Sequence, residues 1–577
     1  VAALAIVIPL LAACLVLAFG RLLPRRLIDL VALVAVAGCL ANAVVLLGSA
    51  GVTWIGGWRV VGIAFVVDGV SGGLTLLIAL LTLCALLFAW GYFDTVEAHF
   101  PVLILLFQAG MTGFVLVGDL FTMFVCFELM GAVGYALTGY KVEEPDSVQG
   151  AFTFGVINSL GAYLGLTGIA LLYAKTGQLG LAQMGVALAG HPADRVVVVG
   201  FALVCVAWLV KAAAAPFHFW LADAHAVAPT PVCLLFSGVM APLGIYGVAR
   251  ISSAVFGPLV PAVHTVFLIL GVFTAAVGAV MAFTQRHLKR MLAYSTIAHS
   301  GLFLVALSSG NVEGIAGAAL YLIGHAGAKG ALFLLTGLLL GFHGSVDENG
   351  LFGKATRHRV LGVLFVLAAS ALAGLPPFVS GIGKSLAEES THSIPLIVLF
   401  IVVSAVTAGA VLRAGLRIFW GVGKPAGSDQ EVTSGEHELP ESDRPFRRTP
   451  MTAFAAIVIL IGLSLATGVI PAVTEAVGRA AAEFGSSAGY LALVLGVGPE
   501  PDAAVPEVHW HGSSLLLSAL TVGTAAVVAL VALHFKPRQP GKAIAVLHRV
   551  HSGRVGDYAA WLVVGTLLFA GTLLVAG

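Results

Sequence analysis

The sequence predicts an all-α polytopic membrane protein with about 14–16 transmembrane helices. Three observations lead there. Hydrophobic residues make up 59% of the 577, charged residues only 10%, and mean hydropathy is +1.04. A soluble chain carries about 25% charge. The apolar residues also fall in long runs near the ~20 residues that a helix needs to cross a bilayer. They do not form the ~10-residue alternating segments of a β-barrel. A net charge of +1 implies no nucleic-acid or acidic partner. The chain opens on Val1, which implies a missing initiator Met and a few missing residues. The first apolar run is too long and too weakly led for a cleaved signal peptide.

In chain order the runs cover 2–20, 27–49, 68–93, 99–117, 119–140, 148–174, 194–222 and 230–254. Further runs cover 258–284, 288–309, 312–341, 357–386, 393–420, 450–470, 513–534 and 557–576. Between the second and third runs, residues 51–66 read as a short surface β-hairpin, with Gly56-Gly57 as its turn. Odd-numbered loops hold Arg21, Arg25 and Arg26; Lys141; Arg286, Lys289 and Arg290; and Lys354, Arg357 and Arg359. Later odd loops hold Lys424, Arg444, Arg447 and Arg448, then Lys536, Arg538, Lys542, Arg549 and Arg554. Even loops hold only Arg59, Lys175, Arg195 and Arg479. The positive-inside rule puts the odd loops in the cytoplasm and both termini outside. Arg286, Lys289 and Arg290 read as topogenic charges. The segment 536–556, with Gln539-Pro-Gly-Lys, reads as a cytoplasmic link between the last two helices.

Four charges lie inside apolar runs: Glu128, Lys211, Lys329 and Lys384. A charge at mid-membrane costs roughly 2.5–3.5 kcal/mol on insertion scales, so it marks a use, such as a path for protons or ions. Two runs are also broken. In one, Lys211 stands five residues before Pro216; in the other, Pro376-Pro377 stand seven residues before Lys384. Proline removes a backbone donor, and unwound backbone survives in a membrane only inside protein or against water. The breaks fall in runs 7 and 12, five spans apart, which predicts two inverted five-helix repeats.

The expected organisation is 1–98 for three helices with the hairpin, 99–256 for the first repeat and half-channel, and 257–420 for the second. Residues 421–577 are expected to hold C-terminal helices and loops that dock a partner. Cys14, Cys39, Cys84, Cys126, Cys205 and Cys233 all lie in apolar runs without a CxxC or CxxH pair. They read as core residues, with neither an iron–sulfur nor a structural zinc site expected. His509-Trp-His511 reads as interfacial rather than metal-binding, for want of a third ligand. No P-loop and no GxGxxG after a strand occur, so no cofactor and no catalysis in this chain are expected.

Residues 211–232, KAAAAPFHFWLADAHAVAPTPV, resemble the seventh-to-eighth-helix signature of the antiporter-like subunits. These are the proton-pumping membrane subunits of respiratory complex I, of Mrp-type sodium/proton antiporters and of energy-converting hydrogenases. FELM around Glu128, KRMLAYSTI from Lys289, HAGAK ending at Lys329 and GLPPF leading to Lys384 extend the resemblance over about residues 60–420. The form of the first motif leans toward the Mrp D-like and hydrogenase-type members.

The resemblance implies a role for each charge. Glu128 and Lys211 would form the ion pair of the first half-channel. Lys329 would be the central relay and Lys384 the terminal lysine of the second half-channel. His325, four residues before Lys329 on one helix face, and His299 would join the central axis as proton shuttles. His218, Asp223 and His225 would serve proton entry or fix the loop. The implied partners are other membrane subunits of an antiporter or redox complex, with protons or sodium as cargo, in a bacterial inner or plasma membrane. One departure stands out. Where many relatives carry a bridging lysine in the eighth helix, this chain has Pro242. The central path would then run through His299, His325 and water, or be cut. A self-sufficient secondary transporter and a scaffold with a vestigial channel are the alternatives.

Overall fold

The computed structural model describes residues 1–58, 62–90, 99–190, 194–425, 438, 441, 445–497, 504–534 and 542–576. Arg59, Arg444, Lys536, Arg538 and Gln539 lie outside the described residues. The helices of the first half are α1 (Leu4–Phe19), α2 (Arg25–Leu47), α3 (Gly69–Ala89), α4 (His99–Leu116), α5 (Leu120–Thr138) and α6 (Pro145–Thr176). They are followed by α7 (Leu181–Leu188), α8 (Arg195–Lys211), α9 (Phe219–Val227), α10 (Thr230–Leu235) and α11 (Ala241–Ile251). Next come α12 (Ala262–Thr284), α13 (Leu288–Ser308), α14 (Val312–His343), α15 (Arg359–Ala373), α16 (Val379–Glu389) and α17 (Ile394–Trp420). The chain ends with α18 (Met451–Val469), α19 (Pro471–Gly485), α20 (Ser487–Leu495), α21 (Gly512–His534), α22 (Lys542–Val550) and α23 (Val555–Ala576).

Thirteen helices among the described residues are long and apolar enough to cross a membrane. The shorter apolar α1 and the two split spans, α8–α9 and α15–α16, bring the number to sixteen. Strands β1 (Gly51–Ile55) and β2 (Ile63–Val67) pair antiparallel, Gly51 opposite Val67 and Ile55 opposite Ile63. Gly56 and Gly57 both take positive φ, 81° and 77°, which glycine adopts without a Cβ clash.

Four short helices exceed the apolar-run reading. α7, α19 and α20 lie between spans, and α22 occupies the middle of the segment expected to be a simple link. α19 buries Thr474, Gly478, Ala480, Ala481, Ala482 and Phe484, so its core face is made of small residues rather than of an apolar run.

Helix α14 is the axis of the molecule and packs against α13, α15, α16, α18 and α19. Its approach to α16 is backbone to backbone. A Cβ on Gly324 would strike Ser380, one on Gly317 would strike Ala387, and one on Gly383 would strike Tyr321. Small residues let membrane helices approach this closely, and the approach carries Lys329 and Lys384 into one core.

A buried ion pair ties α11 to the start of α3. Arg250 meets Asp68 at 2.5 Å, lies over the Phe484 ring at 4.1 Å and donates to the Tyr246 hydroxyl at 3.2 Å. Asp68 also caps α3 by accepting from the Ser71 amide at 2.8 Å.

Candidate functional site

The interruption between α8 and α9 runs from Ala212 to His218 and includes a cis Ala215–Pro216 peptide. The Ala215 amide donates to Thr274 Oγ1 at 3.0 Å, so a side chain from α12 satisfies the unwound backbone. The second interruption, Gly374 to Phe378, contains a cis Pro376–Pro377 peptide. Gly374 turns the chain at φ 94°.

Lys211 ends α8 and is fully buried. Its Nζ has no hydrogen-bond partner among the described residues and lies 4.3 Å from the Phe127 ring and 5.6 Å from the Phe154 ring. Glu128 is half-buried on α5 and is the carboxylate whose charge reaches Lys211. The lysine charge therefore rests on aromatic faces, an arrangement worth about 2 kcal/mol when desolvated, with the carboxylate beyond contact.

At the centre, Lys329 is fully buried on α14 and donates to the Leu292 carbonyl at 2.7 Å. One turn earlier, His325 lies within reach of the Ser237 backbone, which is its one polar neighbour by hydrogen bonding among the described residues. Its ring lies 4.9 Å from that of His299 on α13. His299 Nδ1 donates to the Ser295 carbonyl at 2.5 Å, which leaves Nε2 as the free acceptor of the neutral ring. His225, grouped with proton entry on the sequence, lies deep inside instead. It stacks on Phe333 at 4.9 Å, both ring nitrogens lack partners among the described residues, and the charges of Lys329 and Lys289 reach it.

Pro242 stands second in α11, directly after a π-helical turn at Phe236–Met240. A π turn leaves one extra residue in the helix wall and is common at functional sites. Within it Ser237 meets the hydroxyl of Thr296 on α13. A serine–threonine pair thus links the helix of Pro242 to α13.

Lys384, on α16, is paired. It donates to Glu388 Oε1 at 2.9 Å and to Thr521 Oγ1 on α21 at 2.6 Å, and both side chains are fully buried. Glu388 Oε2 has no partner. Sequence reading missed Glu388, although its spacing of four residues from Lys384 on one helix was the available signal.

Lys289 is a correction. Read as a topogenic surface charge, it is fully buried, pairs with Glu438, and meets Glu441 Oε1 at 3.0 Å. Glu441 also accepts from the Thr230 amide at 3.0 Å, closing the start of α10. Burial alone would push the Glu441 carboxyl up; Lys289, Lys141 and the Thr230 amide reverse this and hold it below the usual carboxylate range. Glu438 and Glu441, from the segment after α17, therefore pack inside the protein.

The C-terminal segment covers the motif of α9. His551 Nδ1 donates to the Leu547 carbonyl at 2.8 Å, so neutral His551 presents Nε2 as an acceptor to His218 Nε2 at 3.0 Å. The Tyr558 ring stacks on Phe219 at 4.7 Å, and its hydroxyl donates to Asp223 Oδ2 at 3.3 Å. Arg290 meets Asp223 Oδ1 at 3.7 Å. A cleft of about 460 Å³ opens beside them, lined by Glu144, Asp146, Asp223, His287, Arg290 and Glu438.

His509 and His511 do have a third potential ligand, which corrects the reading that none was near: Glu507 lies with them, and all three are exposed.

The family described as NADH:quinone oxidoreductase/Mrp antiporter, TM, matches residues 117–408. The chain is 30% identical to NADH-quinone oxidoreductase subunit N of Desulforudis audaxviator over 71% of its own length and 83% of that protein. It is 28% identical to the D-type subunit of the Na(+)/H(+) antiporter of Bacillus subtilis over 62% and 70%. Among solved structures, a chain of the Mrp complex from Dietzia sp. DQ12-45-1b superposes with a TM-score of 0.75 at 28% identity, covering 86% of this chain and 99% of that one.

Proposed function

Because this chain belongs to the NADH:quinone oxidoreductase/Mrp antiporter transmembrane family, we propose that it is an ion-translocating subunit. It would work within a multisubunit cation/proton antiporter or a redox-driven pump, beside other membrane subunits. Protons pass through Glu128 and Lys211 in the first half, through His325, His299 and Lys329 at the centre, and through Lys384 with Glu388 in the second half. The odd-numbered loops face the cytoplasm and both termini face outside, in keeping with the loop charges. The two halves act as inverted units, each with its break beside a lysine.

The observation that carries this reading is the row of buried titratable groups with free lone pairs or protons. Buried polar atoms are nearly always satisfied. Here Lys211 Nζ, both nitrogens of His225, and His299 Nε2 have no partner among the described residues, and His325 reaches only the Ser237 backbone. A static structural core would leave few such atoms; a path that passes protons needs groups able to accept and donate in turn. The Ser237–Thr296 hydroxyl pair offers the bridge that Pro242 cannot.

The cleft at Asp223 is the cytoplasmic mouth, and His551 is the first shuttle. A proton arriving on His551 Nε2 removes the acceptor of the His218 Nε2–H, so the His218 ring must turn, which carries that proton away from His551 and leaves Nδ1 as the nitrogen able to accept the next one. His551→Phe is expected to slow transport several-fold and to alter its pH profile while the complex still assembles. An unchanged profile would leave His551 a packing residue.

The test of the central row is proton flux in vesicles carrying the purified complex. His325→Ala is expected to slow cation-coupled proton flux strongly. His299→Ala together with it should bring the flux close to zero, since removing a general acid–base group costs roughly 10²–10⁴-fold. Wild-type flux in the double variant would mean that protons do not cross between the halves here. Copurification of small membrane subunits alone would place the chain in an antiporter, hydrophilic redox subunits would place it in a pump, and neither would identify a self-sufficient transporter.

A further inference from the structure

We propose that Glu507, His509 and His511 form a binding site for a borderline transition-metal ion, zinc above all, on the face opposite the Lys289 end. The three ligands recur at every second residue. In extended backbone this puts them on one side and the intervening residues on the other. Val508 is accordingly buried against Leu320, Val379 and Ile382, and Trp510 is half-buried. Thr474 Oγ1 donates to the Val508 carbonyl at 3.2 Å, and Trp510 Nε1 donates to the Gly468 carbonyl at 3.4 Å. The segment is thus held from within, while its outward side is left to two imidazoles and a carboxylate.

The geometry suits an ion. The ligand atoms all lie within 4.8 Å of one another, and the two imidazole rings are 3.9 Å apart. A tetrahedral zinc with bonds of ~2.1 Å sets its ligands roughly 3.4 Å apart, so small rotations of exposed side chains close the site. Two imidazoles with one carboxylate select zinc, copper or nickel over calcium or magnesium. Solvent would fill the fourth position.

The position of the site gives it a consequence, which rests on the proposed function. The Trp510 ring packs directly on Gly381, three residues before Lys384 on α16. Fixing the outward ligands fixes this wedge against the broken helix, so a bound ion acts as a brake on the second half-channel.

Calorimetry with Zn²⁺ on the purified complex reads the site without reference to transport. The wild type is expected to take one ion per chain at this site, and His509→Ala/His511→Ala to bind it roughly tenfold or more weakly. Equal affinity in the two proteins overturns the site. In vesicles, Zn²⁺ on the Glu507 side is expected to slow proton flux in the wild type and to spare the double variant. Equal slowing in both overturns the brake. A wild type that carries no protons even in the absence of zinc is a failure of the proposed function, and the calorimetric result then stands by itself.

Discussion

Lys211→Met is expected to abolish proton-coupled transport and to leave the protein at least as stable as the wild type. Lys211 Nζ is fully buried with no hydrogen-bond partner among the described residues. An ammonium in that state is a net cost to folding, even with the Phe127 and Phe154 rings beside it. Methionine keeps the length and the aromatic contacts and removes the charge. Glu128 is half-buried and beyond contact with Lys211, so the change breaks no direct pair. Transport should fall by roughly 100-fold or more, the range for loss of an acid–base group. Thermal unfolding of the complex and dye-reported proton flux in vesicles check the two halves of this prediction. A large loss of melting temperature would show that Lys211 is structural; normal flux would remove it from the path.

Lys384→Met has the opposite stability outcome. Here the charge is paired, and removing it strands Glu388, which is fully buried. Breaking a buried pair from one side costs about 3–5 kcal/mol. Lys384→Met/Glu388→Gln should recover most of that loss, because neither member is then an unpaired charge. Transport should stay absent in both. Melting curves of the single and double variants supply the cycle. Additive losses would mean that the 2.9 Å contact carries no coupling.

The contrast between these lysines shows what was legible in the sequence. The thirteen long apolar helices were, because an apolar run of bilayer length admits few other structures. The charges inside those runs were visible for the same reason: each interrupts a pattern. What the charges meet was not. Glu438 and Glu441 sit in a charged loop that reads as solvent-facing, yet they close over Lys289. Thr521 lies more than a hundred residues from Lys384, on a helix outside the family match. His551 follows a short helix, α22, too brief to register as a span. Loop residues carry no periodicity that tells which of them turn inward. Small-residue helices such as α19 hide their buried face for the same reason. His225 shows the converse limit. Its motif placed it beside His218 and Asp223, but α9 is helical there, and two residues of helix turn a side chain from the cleft toward α14.

In the proposed path Lys329 joins the two halves, and among the described residues its partner is a carbonyl and not a carboxylate. The most direct test is therefore proton flux, driven by a cation gradient, in vesicles carrying the complex with Lys329→Met beside the wild type. The proposed path predicts that flux falls to the level of empty vesicles while assembly and melting temperature are retained. Flux at the wild-type rate with Lys329 absent would contradict a relay through the buried central row.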